Sequence, residues 1–205
     1  MSKTFFISGI DTDCGKTIVT GILARELMME GKKVTTQKLV QTGCAGISID
    51  ILEHRRLMGI ELMEEDINSI TCSQIFKFPS SPHLAAKLEN KTIDVDSIDQ
   101  CTKHLSKKYE IILLEGAGGL LVPITDDYFT LDFIVDRGYS LILVSSSKLG
   151  SINHTLLSIE VCKKYNVDLA GVVYNQFPAN EPDIIEDSKR IIEQNLRRHN
   201  PNSFV

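Results

Sequence analysis

No two of the five cysteines, Cys14, Cys44, Cys72, Cys101 and Cys162, stand closer than 28 positions. That spacing excludes the metal knuckles and CxxC redox pairs that need neighbouring thiols. The odd count favours reduced thiols and therefore a cytoplasmic address. Basic residues are not in excess: 22 Lys and Arg face 27 Asp and Glu, for a net charge of −5. A nucleic-acid backbone as main ligand calls for a basic face, so nucleic acid is not an expected partner. Small anions, which a few local donors can hold, stay open. No apolar run reaches the roughly 18 residues of a membrane span. The N-terminal Met1-Ser2-Lys3-Thr4 lacks the longer apolar core and small-residue cleavage site of a secretory leader. No repeat, linker or low-complexity segment divides the chain. The expectation is a soluble intracellular protein without a membrane partner.

What is present suffices for a core. Apolar residues make up 42% and charged residues 24% of 205 positions, which fits one domain over residues 1–205. Short apolar strands alternate with amphipathic helices. Strands are expected at Thr4–Ile10, Val34–Val40, Ile111–Leu114, Leu141–Val144 and Leu169–Tyr174. Helices are expected at Thr17–Glu30, Ile51–Met63, Pro82–Glu89, Ile98–Lys108, Leu131–Arg137, Ile152–Lys164 and Ile184–Arg198. In the second helix Leu52, Leu57 and Met58 can share a buried face; in the third, Ser81 can cap and Pro82 suits the first turn. This βαβα order implies an α/β fold: a doubly wound, mostly parallel sheet with helices on both faces. Ligands of such folds bind at the carboxyl ends of the strands, so the chemistry is sought there.

The first strand runs into Gly9-Ile10-Asp11-Thr12-Asp13-Cys14-Gly15-Lys16-Thr17. This is similar to a P-loop, with one residue more than the common spacing between its glycines. Backbone amides from Asp13 to Ile18 would cradle phosphates, Lys16 would neutralise β and γ oxygens, and Thr17 would hold Mg²⁺. The plain alternative is a Gly-rich strand–helix turn with a solvated lysine. After the second strand, Lys38 and Thr42 bring a cation and a hydroxyl to the same rim, and Asp50 reads as a metal carboxylate or a helix cap. Glu115 ends the third strand and leads into Gly116-Ala117-Gly118-Gly119, where P-loop enzymes keep a second Mg²⁺ carboxylate. Lys148-Leu149-Gly150-Ser151-Ile152-Asn153-His154 opens a helix whose N-terminus is a second candidate anion site; Ser151 reads as its N-cap and His154 as structural. Asn175 and Gln176 suit the edge of a purine, or else cap a turn before Pro178.

In this order the motifs resemble the dethiobiotin synthetase family over nearly the whole chain. The blocks that carry the resemblance are Gly9 to Thr17, Lys38 with Thr42-Gly43, Ser81-Pro82-His83, Glu115 to Gly119, Lys148 to His154, and Asn175. The resemblance implies a P-loop NTPase-like fold and ATP-dependent ring closure of 7,8-diaminononanoate with CO₂ or bicarbonate. The products are dethiobiotin, ADP and phosphate, formed through a carbamate and its mixed anhydride with phosphate. It assigns Lys38, Lys16 and Thr12 to catalysis and Thr17, Asp50 and Glu115 to Mg²⁺. It assigns Asp13 to Ile18, Asp50, Glu115 to Gly118, Asn175 and Gln176 to the nucleotide. Thr12, Lys38, Thr42, Gly150, Ser151 and Asn153 fall to the diamine, with each active site shared across a homodimer. Two features depart from the family pattern: the stretch from Gly43 to Asp50 is short, and the sequence given ends at Val205, before the segment in which the family contacts the base.

Two rival functions use the same scaffold. A P-loop switch ATPase of the partitioning or positioning type usually carries a second lysine early in the loop, where this sequence has Ile10 and Asp11. An amidotransferase-type ligase needs a glutaminase domain, for which 205 residues leave no room.

Overall fold

The computed structural model describes residues 2–177, 181–199 and 203–204; Pro178 itself lies outside the described residues. Strand β1 (Lys3–Gly9) leads through the Gly-rich loop to helix α1 (Lys16–Met29) and strand β2 (Val34–Lys38). Helices α2 (Ile49–Met58), α3 (Glu64–Ile67), α4 (Pro82–Leu88) and α5 (Val95–Leu105) precede β3 (Ile111–Gly119). A short antiparallel pair, β4 (Pro123–Thr125) and β5 (Tyr128–Phe129), comes next. The chain continues as α6 (Thr130–Arg137), β6 (Ser140–Ser146), α7 (Ser151–Lys164), β7 (Leu169–Asn175) and α8 (Pro182–His199).

Five strands form one parallel sheet in the order β2-β3-β1-β6-β7. It is the α/β architecture expected. Adjacent residues of each central strand bury on opposite faces. Phe6, Leu114, Leu141 and Leu143 join one apolar cluster with side chains from α4 to α8. Ile7, Leu113, Ile142 and Val144 join the other, which α1 and α2 cover. Burial on both faces explains why these strands read as unbroken apolar runs. Because the chain winds first to one side of β1 and then to the other, β1 stands at the switch point, and the loop after it opens into the crevice where such folds take ligands.

Several local expectations are corrected. The helix expected over Ile51–Met63 starts at Ile49 and stops at Met58, because Gly59 takes the left-handed conformation (φ 71°) that closes a helix. Its N-cap is Ser48, whose hydroxyl accepts the Ile51 amide at 3.2 Å, which leaves Asp50 inside the first turn rather than at the cap. The buried stripe of α2 is Ile51, His54, Arg55 and Met58, while Leu52 is exposed. Strand β3 runs on past Leu114 to Gly119, with an irregular register against β1 between Ile7 and Gly9. Ser81 stands at the N-cap of α4 without a side-chain capping bond. Gly150, not Ser151, caps α7. The β4–β5 hairpin has no counterpart in the expected elements, since strands of three and two residues fall below any detectable period. Among the described residues no helix is long and apolar enough to cross a membrane.

Candidate active site

The loop between β1 and α1 ends at Gly15, the α1 N-cap, in a left-handed conformation (φ 95°). A Cβ at Gly15 would collide with the Asn175 side chain. That closeness is used: Asn175 Nδ2 donates to the Cys14 carbonyl at 3.0 Å, tying the end of β7 to the loop. Lys16 begins α1 and donates from Nζ to the Asp11 carbonyl at 3.0 Å. Thr17 turns its hydroxyl the other way, donating to Glu115 Oε1 at 3.1 Å.

The parallel register sets Lys38, the last residue of β2, opposite Glu115 of β3. Lys38 Nζ donates to Glu115 Oε1 at 2.8 Å and to the Gly116 carbonyl at 3.0 Å, and it also pairs with Asp50 Oδ2. Both Lys38 and Glu115 are buried, at 5% and 1% exposure. Burial by itself lowers the pKa of an ammonium, but the Glu115 and Asp50 carboxylates more than reverse this and hold Lys38 above its ordinary value. Burial likewise pushes the Glu115 carboxyl up, and the Lys38 charge with a hydrogen bond from His54 reverses it, holding Glu115 well below the usual carboxylate range. One ammonium therefore lies between two carboxylates, with the Thr17 hydroxyl beside them.

A second layer lies behind Glu115. His54 is fully buried; its Nε2 is 2.7 Å from Glu115 Oε2 and its Nδ1 is 3.0 Å from Thr36 Oγ1. Arg55 Nη1 donates to the same Thr36 hydroxyl at 2.8 Å. The Arg55 fork is held by Asp66, Nε and Nη2 each at 2.8 Å, and Asp66 also accepts from Thr71 Oγ1 at 2.7 Å. Sequence reasoning passed over His54, Arg55 and Asp66. A signal was present: 51, 54, 55 and 58 have the i, i+3, i+4, i+7 spacing of one helical face. Two members, His54 and Arg55, are polar, so an apolar reading prefers Leu52 and Leu57.

A cavity of about 960 Å³ opens above this centre. Its lining unites most of the expected residues: Thr12, Asp13, Gly15, Lys16, Thr17, Ile18, Lys38, Thr42, Asp50, Glu115, Ala117, Gly118 and Asn175. Pro79 to Pro82, which include Ser81 and Pro82 of the Ser81-Pro82-His83 block, form part of the wall. Cys14 and Gly116 are buried beneath it. Gln176 is exposed and borders a separate depression with Tyr174 and Lys189, so it does not join the site in this chain. Both polar ends of the Asn175 amide are already engaged, Nδ2 by Cys14 and Oδ1 by the Phe177 amide at 3.1 Å. Phe177, which sequence reasoning did not single out, is 78% exposed and lines the cavity. Gly150, Ser151 and Asn153 do not line this chain's cavity. The Ser151 hydroxyl is buried against Ser146 Oγ at 2.9 Å, whereas Asn153 is exposed.

A Gly-rich strand–helix loop with a lysine at the helix start, and a carboxylate at the end of a neighbouring parallel strand, define a P-loop nucleotide-binding fold. The sequence matches the AAA domain family over residues 3–200. The fold is similar to a ParA bound to nonspecific DNA (TM-score 0.60, 16% identity, 100% of this chain and 79% of that one). It is also similar to a ParA family ATPase from Chlorobium tepidum (TM-score 0.53, 14% identity, 99% and 95% covered). At such identities the likeness concerns the fold alone.

The sequence relatives are much nearer. The chain is 50% identical over 203 residues to the ATP-dependent dethiobiotin synthetase BioD 2 of Haemophilus ducreyi, covering 99% of this chain and 96% of that protein. It is 50% identical to the BioD 2 of Pasteurella multocida (100% and 96% covered) and 49% identical to the BioD of Chlorobaculum tepidum (94% and 81% covered). The chain belongs to the ATP-dependent dethiobiotin synthetase family and is an enzyme of ligase type.

The buried ion pair generates a pH-dependent prediction. Glu115→Gln removes one partner of Lys38 and should cost about 3 kcal/mol at neutral pH, the low end for a broken buried pair because Asp50 still faces the ammonium. The Glu115 pKa is lowered on folding, so its contribution is complete above the unfolded value near 4.3 and fades as the pH falls below it. Urea unfolding at a series of pH values should therefore show the gap between the native protein and the variant narrowing below about pH 4. A gap that stays constant into acid would contradict the pairing.

Proposed function

We propose that the chain closes 7,8-diaminononanoate with CO₂ to dethiobiotin, using ATP, in biotin biosynthesis. The observation that carries this reading is the Lys38 ammonium, buried at the floor of a cavity whose rim is the P-loop. Names of relatives at 50% identity over nearly the full length support it. One amine captures CO₂ as a carbamate, whose carbonyl carbon resists a second nucleophile. A carbamate oxygen attacks the γ-phosphorus of ATP and ADP leaves. The other amine then attacks the carbonyl carbon of the mixed anhydride and expels phosphate, closing the ring.

The chain's own residues supply position and charge, and no protein nucleophile is required. Lys38 neutralises the carbamate and the transferring phosphoryl group; Lys16 and the loop amides hold the triphosphate. Thr12 and Thr42, both on the cavity wall, offer hydrogen bonds to the substrate amine or carbamate. The Asp50 and Glu115 carboxylates already flank one cation and the Thr17 hydroxyl bonds Glu115; all three are hard oxygen donors, which fits Mg²⁺. Mg²⁺ bound there supplies positive charge to the triphosphate oxygens. The exposed Phe177 ring gives adenine a face on which to stack, beside Asn175. We assign the reaction to the cytoplasm, in keeping with five free cysteines.

Phosphate release from MgATP separates this reading from that of a switch ATPase on the same fold. Release should require both the diamine and bicarbonate. Lys38→Gln should lower it about 100-fold or more, the range for a lost electrostatic contact, with nucleotide affinity little changed. Equal hydrolysis without the diamine, stimulated by a protein or lipid surface, would overturn the assignment.

We also infer a homodimer with shared sites. The Gly150–Asn153 segment lies outside its own chain's cavity and follows Leu149, which is 97% exposed. Reaching the partner's cavity, it gives the substrate's distant carboxylate a helix N-terminus separate from the P-loop. Lys16→Ala and the pair Ser151→Pro with Asn153→Asp should each nearly abolish activity. Refolded together in equal amounts, they should recover about one quarter of normal activity, because half the dimers are mixed and each mixed dimer holds one intact site. No recovery, with mixed dimers verified by mass, would confine the site to one chain.

A further inference from the structure

Glu115 is held from two sides, and the two sides belong to different parts of the molecule. Its Oε1 faces the cavity and accepts from Thr17 and Lys38. Its Oε2 faces inward, 2.7 Å from His54 Nε2. His54 is 0% exposed and does not line the cavity, so it cannot meet a substrate. Its orientation is determined by a chain of hydrogen bonds that starts on another helix. Asp66 of α3 holds the Arg55 fork, Arg55 Nη1 donates into Thr36 Oγ1 at 2.8 Å, and Thr36 Oγ1 lies 3.0 Å from His54 Nδ1.

The donors and acceptors of this chain can be followed in one direction. Thr36 Oγ1 accepts from Arg55, so its own hydrogen is free to be donated to His54 Nδ1. An Nδ1 that accepts leaves the hydrogen on Nε2, which then donates to Glu115 Oε2. In that arrangement every hydrogen along the chain finds an acceptor, with Nε2–H directed at Glu115. With Oε2 occupied in this way, rotation of the carboxylate about its last bond is blocked and Oε1 stays directed at Thr17 and Lys38. Buried partners that orient a ligating carboxylate govern metal sites as strongly as the ligands themselves.

We propose that His54 is a positioning residue of the active site: through Nε2 it sets the Glu115 carboxylate for the cation bound with the nucleotide. This rests on the reading of Glu115 as a Mg²⁺ carboxylate. Gln can present an amide donor near the place of Nε2, whereas Asn reaches only the Thr36 side, and Leu offers no donor. Titration calorimetry of ATP with Mg²⁺, and again with EDTA, is the test, run beside thermal unfolding of each variant. His54→Leu and His54→Asn should weaken the Mg²⁺-supported part of ATP affinity by about 10- to 100-fold, with affinity in EDTA unchanged. His54→Gln should recover most of the loss. Should His54→Leu not fold, the Asn and Gln variants still decide. Equal Mg²⁺ support in Asn and Gln variants, or losses that simply follow thermal stability, would reduce His54 to a packing role and overturn the proposal. A native protein whose ATP affinity is indifferent to Mg²⁺ would instead overturn the reading of Glu115 on which it rests.

Discussion

A buried ammonium between two carboxylates is costly to assemble, and in this chain the fold is arranged around that cost. Lys38 and Glu115 meet because β2 and β3 are neighbours in a parallel sheet whose register sets them opposite each other. Asp50 joins because Ser48 starts α2 just before it. Taking such charges from water is repaid only where geometry and further hydrogen bonds satisfy them. Gly116, Thr17 and His54 supply those bonds. The P-loop lies beside this centre because β1 pairs with β3 on its other edge. The Gly-rich loop and the Lys38 ammonium thus share one cavity.

On the proposed reaction, the same arrangement leaves catalysis little to supply beyond positioning. Phosphoryl transfer to a carbamate develops charge on oxygens that are already anionic, and a fixed ammonium in a partly dry site stabilises it without reorganising at the moment of reaction. Lys38 reaches the cavity from the end of β2 and Lys16 from the start of α1, so the two cations enter it from different elements. The layer behind Glu115, built from Thr36, His54, Arg55 and Asp66, keeps that floor rigid.

Much of this is legible in the sequence. Fully apolar runs such as Ile111–Leu114 and Leu141–Val144 mark strands buried on both faces, and glycines with a Lys-Thr pair mark the loop. Reading the strand ends then yields Lys38, Asp50 and Glu115, which the structure brings together. The less legible part consists of contacts that no local pattern encodes. His54 and Arg55 face inward on a helix whose apolar residues suggest a different face, because Thr36 and Asp66, distant in sequence, compensate them. Ser151 reads as a cap, yet Gly150 takes that place and Ser146 takes the hydroxyl. Asn175 reads either as a base-recognising amide or as the cap of a turn before Pro178; its Oδ1 accepts the Phe177 amide, as a cap does, and its Nδ2 is held by the Cys14 carbonyl. For His54, Arg55 and the Asn175–Cys14 bond the deciding partner is distant in sequence; for Ser151 it is a neighbour, Gly150 or Ser146.

On the proposed reaction, Lys38 pairs with Glu115 and Asp50 until a bound nucleotide and its metal take over those carboxylates. A crystal structure with Mg²⁺, a non-hydrolysable ATP analogue and the diamine tests it most directly. The account predicts the metal on Thr17, Asp50 and Glu115, bound directly or through its waters, with the Lys38 ammonium moved off Asp50 toward the γ-phosphate and the substrate nitrogen. A metal bound elsewhere, with Lys38 still bridging both carboxylates, would contradict it.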